Sequence, residues 1–517
     1  MAYHSQNTAH TLTRKDSSVS HQDMDRRWSS KKVRKQEKAQ RAQRRRRVRS
    51  RRAAKQQNNK LRYNSQYLLQ ALQWLLGSVD FRALSFRADC TWLPLQLAAT
   101  ALLWAWSDEL TLGERFFAAH RLAEHLYQPE HPFAGSVQAF QKILVRWTTA
   151  FVSCLQAAFR ERMQTTLAAE WLVHGFVLFG VDGSRFELPR TQSNEAAYSP
   201  PADQPRAGKK RKKRKKPHDA AHTKKATVPQ MWLTLLWHVG TSLPWAWRTG
   251  SSDSSERIHW REMLTELPAA ALIVADAGFI GYDILRAVLD SGREVVVRVG
   301  SNVHLLRELG WCKPIGSTVY LWPDQAVRRS QPPLVLRLVV SHEGKHPVYL
   351  VTSVKAARLS DRQVIDIYRR RWGIELFYRH FKQTYDRRKL RSASAAHAEL
   401  EMQWSLLGLW AMALYAQVEL QKKKLKPQQL SVAKVLKAFR RMQRDYLHPV
   451  RIDCSLNDLL QRALRDTYER RNKASRNYPR KKRPDPPPGA PHISVASKAQ
   501  VQRAQQTKQN VQKGLTA

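Results

Sequence analysis

Phe176-Val-Leu-Phe-Gly-Val-Asp182 is an apolar run closed by a single acid, and it reads as a short buried strand. A turn at Gly183-Ser184 and a second short strand, Arg185–Leu188, are expected directly after it. Further along lies a third strand, Met231–Val239. From there the texture alternates. A helix around 255–266 comes first, then a strand Ala271–Asp276, a helix around 279–290 and a strand Glu294–Val299.

Hairpin-linked strands followed by alternating helices and strands predict a mixed sheet with helices on its faces. The order matches an α/β, ribonuclease H-like fold. Asp182 closes the first strand and Asp276 the fourth, and these two strands are neighbours in such a sheet. Functional groups of open α/β sheets gather at the carboxyl ends of strands, so the two acids are expected to meet there. Either Asp alone also reads as a turn or cap residue.

Residues 361–383 read as one helix. Tyr368, Arg371, Glu375 and Lys382 then fall on one narrow face, because gaps of three, seven and fourteen residues are close to whole turns. Arg379 falls on the same stripe. Ile367, Ile374, Phe377 and Phe381 gather on a neighbouring face that should be buried. Alone, the stripe also describes a salt-bridged surface helix. The upstream acids change that reading, since Glu375 becomes a third carboxylate delivered to Asp182 and Asp276. Three carboxylates without Cys or His favour hard cations such as Mg²⁺ or Mn²⁺. Two such ions about 3.5–4 Å apart can activate a nucleophile and stabilise a leaving oxygen.

Around this core, residues 1–62 read as a disordered basic tail and 63–170 as a helical domain of about five segments. Residues 171–395 hold the core, with a Lys/Arg-rich loop at 206–225 and a β-rich insertion at about 300–355. The insertion carries strands at Thr318–Trp322, Leu334–Val340 and Pro347–Thr352. Helices at about 396–424, 430–446 and 455–474 form a C-terminal helical region, and 476–517 read as a disordered basic tail containing proline.

The formal net charge of +47 is concentrated in three places. Residues 1–62 carry 20 basic and 4 acidic side chains, 206–225 carry 11 and 1, and 470–517 carry 12 and 1, which leaves the body at only about +10. Such segments attract nucleic-acid phosphates without reading sequence, although a solubility or targeting tail has the same composition. The four cysteines match no zinc spacing and read as thiols of a reducing compartment. Residues 1–30 are polar and charged, unlike a signal peptide, and the most apolar windows are too short for a membrane span.

Tyr368, Arg371, Glu375 and Lys382 match, without a gap, the Tyr-x2-Arg-x3-Glu-x6-Lys signature of DDE transposases of the insertion-sequence-four family. Val181-Asp182-Gly183 and Ala275-Asp276-Ala-Gly-Phe279 are similar to the surroundings of that family's first two acids. The resemblance covers about 175–420 well, the helical N-terminal region loosely and the basic tails not at all. The 206–225 loop departs from the compact family pattern.

The resemblance implies a DNA transposase in which Asp182, Asp276 and Glu375 are catalytic and hold two Mg²⁺ ions, with Mn²⁺ as a substitute. Water would nick each element end, and the resulting 3′-hydroxyl would attack the other strand or the target. Arg371 and Lys382 would bind phosphates, Tyr368 would hydrogen-bond one, and Arg379 is grouped with them as DNA-binding. Trp311 and Trp322 are candidates for stacking on an extruded base, or else core residues. The implied partners are double-stranded DNA (terminal inverted repeats and target) and a second copy of the chain on paired ends, with no membrane. The expected location is the bacterial cytoplasm, at the nucleoid, and residues 63–170 are expected to bind the DNA ends. Two other readings remain: a domesticated DNA-binding protein without chemistry, and a ribonuclease H-like nuclease that never joins strands.

Overall fold

The computed structural model describes residues 38–51, 67–87, 90–129, 132–133, 135–199, 228–313, 316–344, 346–447, 455–465 and 489–513. The loop at 206–225, Cys454 and much of both expected tails lie outside them. The chain divides into two units, Met1–Tyr63 and Asn64–Ala517. In the first, residues 38–51 form an exposed helix where the composition predicted disorder. Its Arg, Lys, Ala and Gln are strong helix formers, yet it has no apolar stripe to bury.

The second unit is built on β1 (Val177–Glu187), β2 (Gln230–His238), β3 (Leu243–Gly250), β4 (Ala271–Ala275), β5 (Glu294–Val299), β6 (His304–Arg307), β7 (Thr318–Leu321), β8 (Leu334–Ser341), β9 (Val348–Thr352) and β10 (His492–Val495). All ten lie in one sheet, in the order β10-β6-β7-β8-β9-β5-β4-β1-β2-β3. β1, β2 and β3 are antiparallel neighbours, whereas β4 runs parallel to β1 and β5 parallel to β4. The mixed α/β architecture is therefore as expected.

Four details differ from the sequence reading. The turn at Gly183-Ser184 is absent, because β1 runs straight through it and pairs with β2 from Phe179↔His238 to Glu187↔Gln230. Gly183 marks a close approach instead: a Cβ there would lie 2.6 Å from Glu256 Oε1. The strand β3 was not foreseen, since Pro244 breaks the pattern, but β3 is the sheet edge, where a missing N–H is tolerated. The β-rich insertion lies where it was expected but extends the core sheet, as β9 pairs with β5. Lastly, the expected disordered tail at 476–517 contains β10, paired in parallel with β6, and a helix after it. A four-residue strand that depends on a partner nearly 190 residues away leaves little local signal.

The helices are α1 (67–76), α2 (Pro94–Trp106), α3 (Leu112–Tyr127), α4 (Val137–Thr166), α5 (Gln192–Tyr198), α6 (Glu256–Met263), α7 (Tyr282–Asp290), α8 (Asp324–Arg328), α9 (Asp361–Arg370), α10 (Trp372–Arg379), α11 (Ala395–Gln421), α12 (Val432–Leu447), α13 (Leu456–Gln461) and α14 (Lys498–Gln512). The helix expected over 455–474 is described as far as Gln461, and residues 466–488 fall outside the described ones. α4 buries Phe140, Leu144, Phe151, Leu155, Phe159 and Met163 along one stripe, the spacing that makes a core-facing helix. α11 is apolar nearly all round and buried accordingly. Among the described residues no helix is long and apolar enough to cross a membrane. Cys90, Cys154 and Cys312 are half-buried free thiols.

No break separates the N-terminal helices from the sheet region, since α2 and α4 pack along α11. The crossing of α2 and α11 is set by Gly408, whose carbonyl accepts the Trp106 indole N–H at 2.7 Å. A Cβ at Gly408 would meet the Tyr385 hydroxyl at 2.7 Å and Ala105 Cβ at 3.0 Å. In an exposed helix Gly→Ala stabilises by roughly 1 kcal/mol. Here overpacking reverses the sign, and Gly408→Ala should cost about 1–3 kcal/mol in urea unfolding. A gain in stability would show that the crossing can relax.

Candidate active site

Asp182 lies in β1, and Asp276 directly follows β4. Gly180 stands opposite Val274 in the parallel pair, and carrying that register on by two residues brings Asp182 level with Asp276. β4 stops at Ala275 while β1 continues to Glu187, so the edge of β1 beside Asp182 is open on that side.

The stripe expected over 361–383 is carried by three helical pieces. α9 starts with a capping box, Ser360 Oγ accepting from Gln363 N and Gln363 Oε1 accepting from Ser360 N. At Arg371 the hydrogen bonds tighten to i→i+3, from Arg371 N to Tyr368 O and from Ile374 N to Arg371 O. After α10 a π-turn over His380–Thr384 widens the spiral, and Tyr385 N donates to His380 O at 2.8 Å. One joint overwinds and the other underwinds, so Glu375 and Lys382 stay near the same face. Ile367, Ile374, Phe377 and Phe381 are buried as predicted.

Two contacts fasten this assembly to β1. The buried Tyr378 hydroxyl donates to Asp182 O (2.9 Å) or Leu233 O (3.2 Å), which pins α10 at the level of Asp182. Beyond the π-turn, Leu390 N donates to Glu187 O and Glu187 N to Arg388 O, so the chain locks onto the end of β1.

The polar side chains converge. Tyr368 donates to Asp276 Oδ1 at 3.2 Å, and Ala277 N–H donates to the same oxygen at 2.8 Å. Gly183 N–H donates to Asp182 Oδ1 at 2.9 Å. Arg371 donates from Nη2 to Glu375 Oε1 at 2.7 Å, with its side chain only 8% exposed. Lys382 Nζ donates to Ser184 Oγ at 2.7 Å and sits 4.9 Å from the centre of the Phe186 ring. Arg379 does not join this group, being exposed and lying near His380 and Arg465.

Burial pushes the Asp182 carboxyl up to about 6, against the pull of the Gly183 N–H and Arg371, with Glu375 and Asp276 adding to the rise. Tyr368 rises to about 12, through burial and then the Asp276 charge. Burial opposes the charge of Arg371, but Tyr368, Asp276 and Glu375 outweigh it and raise its pKa. Lys382 is lowered by burial and then by Arg388.

Among the described residues no three His, Cys, Asp or Glu side chains stand close enough together to hold a metal ion. Each acid is held by a protein donor on one oxygen, and among the described residues its second oxygen accepts from no protein group. Hard carboxylate oxygens within electrostatic reach of one another, each with an oxygen left over, are of the kind that suits Mg²⁺.

Some relevant residues were not foreseen. Glu256, at the start of α6, places its carboxyl group over Gly183, and burial and then the Asp182 charge raise it to about 7. Its sequence signal was Gly183 itself, read as a turn. Trp372, beside Arg371, is 56% exposed. Trp322 is buried, donates from its indole to Gln331 O at 2.8 Å and borders a cavity of about 550 Å³. Trp311 lies in a loop, half-buried, with its carbonyl accepting from Lys508.

Residues 175–410 match the family described as the transposase DDE domain. The transposase InsG of insertion sequence element IS4 from Escherichia coli is 25% identical over 257 residues, 48% of this chain and 53% of that protein. Residues 175–410 carry a transposase DDE domain, similar to a transposase of the insertion-sequence-four type. The match spans about half the length of that curated relative. The solved piggyBac transposase synaptic complex with hairpin DNA is 12% identical, with a TM-score of 0.36 over 79% of this chain and 88% of that one. The DDE domain's matched segment encloses Asp182, Asp276, Tyr368, Arg371, Glu375 and Lys382.

The raised Asp182 carboxyl predicts a pH signature in chelating buffer. It binds its proton more tightly in the folded state than in the unfolded one, where the value is 3.8. Its contribution is therefore fully favourable below about pH 4 and lost as the pH rises through about 6. Asp182→Asn should stabilise the protein by about 2 kcal/mol at pH 8 and change it little at pH 4. An equal effect at both pH values would refute the raised carboxyl.

Proposed function

We propose that this chain is the transposase of an insertion sequence, cutting element ends and joining them to target DNA by metal-assisted phosphoryl transfer. The observation that carries the reading is the convergence, inside a transposase DDE domain, of Tyr368 on Asp276, Arg371 on Glu375 and Lys382 on Ser184. The order β3-β2-β1-β4-β5, antiparallel then parallel, is that of a ribonuclease H-like core and supports the same reading.

In this reading Asp182, Asp276 and Glu375 hold two Mg²⁺ ions, which supply activation of the attacking oxygen and stabilisation of the leaving one. Water attacks a backbone phosphorus, the bond to the 3′ oxygen breaks and a 3′-hydroxyl remains. That hydroxyl attacks a phosphorus of the target, displacing the 3′ oxygen there. Arg371, held rigid by burial, offers remaining guanidinium donors to a phosphate, and Lys382 can leave Ser184 to reach another. Tyr368 keeps Asp276 oriented and presents a phenol to the same strand. A base drawn out of the stack needs an accessible aromatic face, which the exposed indole of Trp372 provides better than the buried Trp322. The partners in this reading are the terminal inverted repeats, the target duplex and a second copy of the chain.

Asp182→Asn, Asp276→Asn and Glu375→Gln should each slow Mg²⁺-dependent cutting of a plasmid bearing the element ends by at least about a thousandfold, with end binding kept. Normal cutting by any one of them would refute its assignment. Cutting without a joined product would favour the nuclease reading, and binding without cutting by the wild type the domesticated one. Deleting 1–60, which carries most of the 20 basic side chains of that tail, should weaken DNA binding and flatten its salt dependence. Unchanged affinity and slope would remove that segment from the DNA interface.

A further inference from the structure

The side chain that approaches the acids without any role in the three-carboxylate scheme is Glu256. It is the first residue of α6, which packs against β1, β2 and β3. Its carboxyl group lies against Gly183, so closely that a Cβ there would sit 2.6 Å from Oε1, 2.7 Å from Cγ and 2.8 Å from Cδ. Gly183 is also the residue whose N–H holds Asp182 Oδ1.

Alternation along β1 fixes the direction of approach. Gly180 faces Ile374 of α10, and two residues on, Asp182 belongs to that same face. Gly183 belongs to the opposite face, the one on which α6 lies. Glu256 therefore reaches Asp182 from the far side of the sheet. The open edge of β1 allows this, because β4 stops at Ala275, level with Val181, and no strand separates the two faces beyond that point.

A helix N-terminus is a favourable place for an acid, but it needs no more than a carboxylate in solvent. Glu256 is instead folded inward. Among the described residues no side chain hydrogen-bonds or ion-pairs with it. Arg257 donates to Gly278 O, and Arg185 stacks over Trp232. Among the charges that act on it, Asp182 is the strongest and of its own sign, Arg185 and Arg257 partly offset it, and Asp276 adds to it. A half-buried carboxylate held beside the residue that anchors Asp182 gains when a cation comes between the two acids.

We propose that Glu256 is a fourth carboxylate of the metal centre, approaching the cation on the Asp182 side from the sheet face opposite Glu375. The proposal rests on the metal-holding roles of Asp182, Asp276 and Glu375. Gly183 is the companion requirement, as any side chain there would push the Glu256 carboxylate away while leaving the Asp182 hydrogen bond intact.

Mn²⁺ binding to the full-length protein, followed by the electron paramagnetic resonance of free Mn²⁺, tests it without DNA or turnover. Glu256→Gln should weaken binding about tenfold or more, Gly183→Ala should weaken it in the same direction, and Glu256→Asp should restore part of the loss. Circular dichroism melts accompany each variant. Should Glu256→Gln lose its fold, Gly183→Ala, which keeps the carboxylate but moves it, carries the decision alone. Wild-type Mn²⁺ affinity within twofold in folded Glu256→Gln or Gly183→Ala, while Asp182→Asn loses binding, overturns the fourth ligand and leaves the three-acid site standing. Wild-type affinity in Asp182→Asn overturns the three-acid site itself, and the fourth ligand with it.

Discussion

The guanidinium of Arg371 holds the negative charge of this site together. Burial opposes the ionisation of Asp182, and Glu375 and Asp276 add to that opposition. Arg371, nearly closed off from solvent, binds Glu375 directly and offsets Asp182 and Asp276 at longer range. A buried cation is itself costly unless its partners are fixed. Here they are, since Tyr368 is tied to Asp276, and Tyr378 ties α10 to the backbone of Asp182. Displacing Arg371 would leave Glu375 without its ion-pair partner, and displacing either tyrosine would free an acid or the helix beside it.

The joint between α9 and α10 makes this arrangement possible. An uninterrupted helix drifts relative to a straight line across a sheet, so four residues over fourteen positions would not all keep the same neighbours. The i→i+3 turn at Arg371 and the π-turn at His380–Thr384 correct in opposite senses. Phe377 and Phe381 remain in the core through the change, stacked at 5.8 Å, while Lys382 is turned toward Ser184.

Much of this was legible from periodicity. The buried runs ending at Asp182 and Ala275, and the buried positions Ile367, Ile374, Phe377 and Phe381, follow from hydrophobic spacing alone. What escaped the sequence reading depends on partners far along the chain. Gly183 has the local chemistry of a turn, and only the approach of Glu256 explains it as a strand residue. Pro244 argues against a strand unless that strand is known to be an edge. β10 is four residues long and exists because β6 offers an unpaired edge. Glu256 itself is one Glu among several in a polar stretch, with no spacing to distinguish it.

The strands after β5 matter to the site although they contribute no acid. β9 returns beside β5, and β8 pairs outside it, so the chain leaves the sheet several strands away from β1. From β8 to β1 there are four strand intervals, or about 19 Å at the usual spacing. α9 packs over β8, β5 and β4, and its ten residues span about 15 Å before α10 lands on β1. The length of α9 is therefore matched to the number of strands it must cross. Were β8 and β9 paired elsewhere, a helix of this length would deliver Arg371 and Glu375 to the wrong strand. Hence the pairing of β9 with β5, and not the α9 sequence alone, fixes where the third carboxylate arrives.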